Sequence, residues 1–222
     1  MPLLLLFLLV PACGFTIPDS LVRKSGAAFN RFDAKEQETF VEILKDSSTA
    51  YYAATFRTLP CPYALARAKF SQVDRSFKSF SYIKKFNKVE TAKSPGRFGT
   101  YLVVVGVLFA KSWFLCDLDS LHSDSAGNFL LVINQNRDDS LNRRFRQEED
   151  GLFVVEYDHF TIDWRMKDLG GNRTRASFIA FVAPRIWIPG WLYRIVSTFV
   201  FPSVLSSFEK SLEKQAEKKH ER

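Results

Sequence analysis

The stretch Pro184–Lys218, PRIWIPGWLYRIVSTFVFPSVLSSFEKSLEKQAEK, decides how the rest of the chain must be read. Pro189 and Gly190 open it, and Leu192, Ile195, Val196, Phe199, Leu205, Phe208 and Leu212 recur at helical spacing, which predicts one long helix with an apolar stripe. Pro202 lacks a backbone N–H and crowds the preceding turn, so a kink or restart is expected there. Past Leu212 the stripe gives way to charge, and the helix should leave whatever it packs on. A stripe of that length needs an equally long apolar surface to cover.

The middle of the chain supplies that surface as strands. RFGTYLVVVGVLFAKSWFLCDLDSL (Arg97–Leu121) is broken by Gly106 and by AKS, and NFLLVINQN (Asn128–Asn136) follows a DSAG turn. GLFVVEYDHFTIDWRM (Gly151–Met166) follows EEDG, and RTRASFIAFVAP (Arg173–Pro184) follows DLGGN. Acidic, Gly-containing turns between β-rich runs predict an antiparallel meander of five or six strands. From Tyr101 to Phe109 both parities are apolar, so that strand is expected to be buried on both faces.

Further toward the N-terminus, TAYYAATFRTL (Thr49–Leu59) reads as a first strand ended by Pro60 and Pro62. Tyr63–Ala68 suggests a short helix, and Ser76–Phe86 a second short helix or an aromatic loop. In Asp33–Ser48, Phe40, Ile43 and Leu44 lie at helical spacing behind an Asp33 cap with Glu36 three residues on, so a helix is expected. Leu3–Val10 is an apolar run with the length of a signal-peptide core, too short to span a bilayer, and it ends in VPACG. Residues 1–12 are therefore expected to be a signal peptide. Cys13 would be the mature N-terminus and, as in a lipobox, the site of lipidation, giving a periplasmic or membrane-anchored protein. Residues 13–48 then form an N-terminal extension with a short helix, 49–216 a single domain, and 217–222 a charged tail.

Composition limits the function. The 222 residues are 46% hydrophobic and include 22 Phe against 2 Met, which suits a large core or the walls of a cavity for an oily ligand. The net charge of +7 favours anionic surroundings. Its carriers are scattered (Lys84, Lys85, Lys88, Arg143, Arg144, Arg146) or mixed with acids in the tail, without a recognition helix or zinc-finger spacing, so no nucleic-acid partner is expected. Cys61 and Cys116 belong to no CxxC pair; they could form one bridge or remain buried thiols.

The order of strand, two short helices, meander and long C-terminal helix resembles the START-like or SRPBCC superfamily over roughly Thr49–Ala216. Two segments carry the resemblance: DRSFKSFSYIKKFNKVE (Asp74–Glu90), with Ser81 where the family usually has Pro, and IPGWLYRIVSTFVFPSVLSSFEKSL (Ile188–Leu212). The resemblance implies an α+β helix-grip fold, a curved antiparallel β-sheet wrapped around a long C-terminal α-helix. It further implies a cavity between them for a lipid, isoprenoid quinone, sterol or polyketide. Ten buried methylenes would supply about 8 kcal/mol before ordering costs, enough for micromolar binding without a charged contact.

The aromatic residues Phe77, Phe80, Tyr82, Trp113, Trp164 and Phe178 are the expected cavity wall, with Tyr101, Val103 and Val105 from the two-faced strand. Trp187, Trp191 and Phe199 are expected at the same cavity and its mouth. No catalytic residue is assigned. His159, the pair Asp117 and Asp119, and the pair Asp163 and Arg165 are the titratable groups that could serve a cyclase or dehydratase if they reach the cavity, although surface roles are commoner for each. No P-loop, dinucleotide-binding glycine pattern, nucleophile elbow or HExxH occurs, so no cofactor and no metal site are expected. The NRT at Asn172 reads as a turn. The expected partners are an apolar small molecule or lipid and, through the Cys13 anchor, a membrane surface; a cavity-less envelope interaction protein is the reading from a different class.

Overall fold

The computed structural model describes residues 17–30, 37–45, 49–78, 80, 82–90, 99–107, 110–121, 128–148, 154–155 and 157–220. The expectations for residues 1–12, for Cys13 and for the turns DSAG and EEDG fall wholly or mainly outside them.

Eight strands pair antiparallel in the order β1-β2-β9-β8-β6-β5-β4-β3, an open sheet with β1 (Glu38–Lys45) and β3 (Ile83–Val89) at its edges. Between them lie β2 (Thr49–Leu59), β4 (Gly99–Val107), β5 (Ala110–Leu121), β6 (Phe129–Gln135), β8 (Tyr157–Gly170) and β9 (Arg173–Pro184). A two-residue strand, β7 (Val154–Val155), adds parallel to β5. The meander is thus β3-β4-β5-β6-β8-β9, and β2 joins its far end beside β9. The β8–β9 hairpin closes on Gly170, Gly171 and Asn172, with φ of 73°, 57° and 59°. Three successive left-handed residues need this glycine-rich turn, and Asp168 braces it by accepting a hydrogen bond from the Gly170 N–H at 2.8 Å.

Helix α5 (Gly190–His220) runs the length of the inner face and continues into the stretch read as a tail. No restart occurs at Pro202: one helix passes through it. Flanking hydroxyls add side-chain bonds to helix carbonyls, Ser203 Oγ donating to Val200 O at 2.7 Å and Thr198 Oγ1 to Arg194 O at 2.7 Å, neither of them the Thr198 carbonyl whose i+4 donor Pro202 removes. The far half of α5 is pinned to β2, where Arg57 meets Glu209 at 2.6 Å and Ser206 Oγ at 2.6 Å. Gly190 sits so close to Ile43 of β1 that a Cβ there would overlap its Cδ1.

Two helices cover the outer face. Helix α1 (Asp19–Phe29) packs Leu21, Ala28 and Phe29 against Tyr52, Ala54, Phe56, Ile179 and Phe181. Helix α4 (Asp139–Glu148) lays Phe145 and Leu141 over Leu102, Val104, Trp113 and Leu115. That cover explains why Tyr101, Leu102, Val103 and Val104 are all buried. Where a helix was expected over Asp33–Ser48, the described residues form the strand β1 (Glu38–Lys45), and the expected cap at Asp33 and Glu36 lies outside them. Ile43 packs against the inner core while Phe40 and Leu44 pack outside, so apolar residues on two faces imitate helical spacing, and Thr39, Val41 and Ile43 favour the extended chain. The Ser76–Phe86 segment divides between the end of α3 (Val73–Lys78) and the start of β3; α2 (Tyr63–Phe70) begins after Pro62 as expected.

Candidate functional site

The interior between sheet and α5 is of two kinds. Under the far half of the helix it is solid: Phe70 contacts Phe77, Phe129, Trp164 and Phe208 with ring centroids 4.4–5.8 Å apart, and Leu205 and Leu212 close the layer. Under the near half, Tyr193–Val204, a cavity of about 150 Å³ remains. Its floor comes from alternating residues of the meander: Ile83 and Phe86 (β3), Val103 and Val105 (β4), Phe114 and Cys116 (β5), Ile133 (β6). Tyr157, Phe160 and Ile162 (β8) and Phe178, Ala180 and Val182 (β9) continue it, while Phe77, Phe80 and Tyr82 close one side. The period-two alternation of strands puts these residues on one face, and α5 supplies the roof with Tyr193, Val196, Ser197, Val200, Phe201 and Val204.

No Asp, Glu, Lys, Arg or His stands among these lining residues. Burial raises the phenols of Tyr157 and Tyr193, partly offset by hydrogen bonds with Ser112 and Ser197, and pushes Tyr82 well above the ordinary phenol value. Cys116 is likewise pushed well up, by burial first and by Asp117 second. Cys61 and Cys116 are both buried free thiols. The cavity therefore offers hydroxyls and thiol as neutral groups in an otherwise apolar wall.

Of the residues expected at the cavity, Phe77, Phe80, Tyr82, Val103, Val105 and Phe178 line it. Tyr101 and Trp164 belong to the inner core beside it, Tyr101 stacking on Phe86 at 4.7 Å and Trp164 on Phe80 at 5.9 Å. Trp113 is placed on the opposite face, beneath α4, because it is one residue out of phase with Phe114. Trp187, Trp191 and Phe199 are exposed on the solvent side of α5 and the loop before it. Sequence reasoning missed most of the sheet's share of the lining, Phe114, Ile133, Tyr157, Phe160 and Ile162 among it, and also the α5 face with Tyr193, Ser197 and Val200, which is less apolar than the stripe on the other side of the helix.

The titratable candidates face away from the cavity. Asp117 accepts hydrogen bonds from Thr100 Oγ1 at 2.6 Å and from Asn136 Nδ2 at 3.0 and 3.1 Å, tying β5 to β4 and to the turn before α4. The side chain of Asp119 lies outside the described residues. His159 sits 3.0 Å from Thr161 Oγ1 and 5.1 Å from the Phe181 ring on the outer face. Burial, and then Arg137, lower its pKa from 6.5 to about 4. Asp163 and Arg165 pair at 2.9 Å, also on the outer face; burial raises the Asp163 pKa more than Arg165 lowers it.

No protein-family model matches the sequence. No curated protein sequence matches it either. Solved structures do. A STAR-related lipid transfer protein from Xanthomonas axonopodis is similar with a TM-score of 0.54 at 8% identity, over 78% of this chain and 98% of that one. Human STARD10 is similar with a TM-score of 0.61 at 9% identity, over 96% of this chain and 86% of that one. The Zhui aromatase/cyclase from Streptomyces sp. R1128 is similar with a TM-score of 0.50 at 12% identity, over 82% and 96%. At these identities the likeness is one of architecture, and together with the open sheet gripping α5 it establishes that this chain has the START-like α+β helix-grip fold.

Proposed function

We propose that the protein binds one uncharged apolar molecule in the cavity between the sheet and the near half of α5. The observation that carries this reading is a cavity of about 150 Å³ walled by apolar side chains with no charged group among them. A carboxylate or ammonium taken into such a wall would lose several kcal/mol of hydration without a partner. A hydroxyl or carbonyl could exchange hydrogen bonds with Ser197, Tyr193 or Tyr157. Volume sets the size of the ligand: a cavity of about 150 Å³ admits a molecule of roughly benzene's size, whereas drug-sized ligands occupy roughly 300–1,000 Å³. A lipid or isoprenoid would enter by its end, or would require the near half of α5 to move outward. In that half Val196, Val200 and Phe201 are only half-buried, whereas in the far half Leu205, Phe208 and Leu212 are buried.

The lipid-transfer and cyclase proteins of the same fold support an apolar partner and do not choose between carriage and chemistry. Carriage is preferred because His159, Asp117, Asp163 and Arg165 all stand on the other side of the sheet. Export through residues 1–12 and anchoring at Cys13 are part of the same reading, supported by the run Leu3–Val10 and VPACG; mass spectrometry of the mature N-terminus tests them.

Native mass spectrometry of the protein from its own host, with titration by short neutral alcohols and the carboxylates of equal chain length, tests the binding. A co-purifying neutral apolar molecule and at least tenfold tighter binding of the alcohols are expected at pH 7. No bound molecule together with no uptake of either probe would overturn the reading.

A further inference from the structure

The near half of α5 is apolar on the wrong side. Toward the cavity it presents Tyr193 and Ser197 with Val196 and Val200; toward solvent it presents Trp191, Ile195 and Phe199 at i, i+4 and i+8, exposed by 66%, 46% and 74%. Ile186 and Trp187, in the loop leading into the helix, are exposed by 50% and 77%. These five are the large hydrophobic residues exposed among the described positions, and all fall within one 14-residue stretch. Apolar residues scattered singly over a surface need no explanation, but a ridge confined to one helix face does.

We infer that this ridge is a docking surface for an anionic lipid bilayer, on which α5 lies with Trp187, Trp191, Ile195 and Phe199 in the headgroup–acyl boundary. Three observations select a bilayer. Tryptophan, an apolar body with one N–H, is the residue suited to a membrane interface, and two of the chain's four Trp stand here while Trp113 and Trp164 are buried. Charge is complementary: no Asp or Glu occurs from Ile186 to Phe208, Arg194 is exposed within the ridge, and the chain carries a net +7, while Arg185 beside the ridge is paired with Asp158 at 2.8 Å. Among the described residues no helix is long and apolar enough to cross a membrane, so α5 would lie on the surface. The bilayer then meets the outer side of the helix half that roofs the cavity, so a ligand passing between them would leave the membrane beside the roof it must pass.

The test uses the full chain with vesicles of phosphatidylcholine alone, or of phosphatidylcholine with 30% phosphatidylglycerol, carrying brominated acyl chains that quench tryptophan. Quenching is expected with the anionic vesicles, weaker with the neutral ones, and largely lost in Trp187→Phe/Trp191→Phe, which keeps the ridge apolar. Vesicle affinity should fall at least fivefold in Trp191→Glu/Phe199→Glu, while thermal unfolding and uptake of short neutral alcohols stay unchanged. Retained uptake separates a failure here from a failure of the cavity reading. Quenching that is equal in the Trp→Phe variant, or vesicle affinity unmoved by the Glu variant, would overturn the inference. So would a concentration-dependent dimer abolished by Phe199→Glu, which would make a second copy the occupant. Equal acrylamide quenching of the wild type and Trp187→Phe/Trp191→Phe without vesicles would assign the ridge to another segment of this chain, and would also overturn it.

Discussion

His159 is the residue whose environment departs most simply from water. Its folded pKa of about 4 lies below the ordinary 6.5, so the unfolded chain takes up the proton first. Its contribution to stability is therefore complete above about pH 6.5 and is lost as pH falls toward 4. Partial exposure screens the effect, and a loss of about 1 kcal/mol between pH 7.5 and 5 is expected, measured from urea midpoints and absent in His159→Gln. Asp117 is read as a brace: Asp117→Ala leaves Thr100 and Asn136 without their acceptor and should cost about 1–3 kcal/mol in chemical denaturation. The residue types with chemical potential were visible in the sequence, but their side of the sheet was not. Parity within β5 predicted that Asp117 and Asp119 face together; it could not tell that Phe114 and Cys116, rather than Trp113 and Leu115, face the cavity, because α4 makes both faces apolar.

At the scale of elements, the decisive contacts are those of α5, and its two halves are held differently. Phe208 lies fully buried against Phe70 and Trp164, so Phe208→Ala should cost about 3–5 kcal/mol in thermal or urea unfolding. Arg57→Ala removes the bridge to Glu209 and Ser206 and should cost about 1–2 kcal/mol, with faster hydrogen exchange in the far half of the helix. The long helix was legible from its apolar recurrence, and Leu205, Phe208 and Leu212 were placed on the packed face. The same rule selected Ile195 and Phe199 in the near half, where the packed face carries Tyr193 and Ser197 instead. Hydrophobicity identifies the buried stripe only when the other stripe faces water alone. The small helix α4 escaped notice because, among its described side chains, only two apolar residues, Leu141 and Phe145, pack on the sheet; the signal present was Asp138, whose carboxylate caps the Ser140 and Leu141 amides.

For the whole molecule, the sheet, the solid aromatic layer and the cavity form one interior divided along the length of α5. The meander could be read from turn chemistry and strand parity, and the helix-grip architecture from the resemblance carried by Asp74–Glu90 and Ile188–Leu212, before any comparison of structures. The size of the cavity could not, since it depends on how the Phe side chains between sheet and α5 share that space: Phe70, Phe77, Phe129 and Phe208 fill one end, while Phe114, Phe160, Phe178 and Phe201 only line the other. The central claim is that this remaining space is a binding site for an uncharged apolar molecule. The most direct measurement is calorimetric or fluorescence titration of the protein and of Ala180→Phe, which places a ring in the cavity, with one short neutral alcohol. Saturable binding by the wild type, lost in Ala180→Phe at unchanged helical content, is the predicted result; equal binding by both, or none by the wild type, would contradict it.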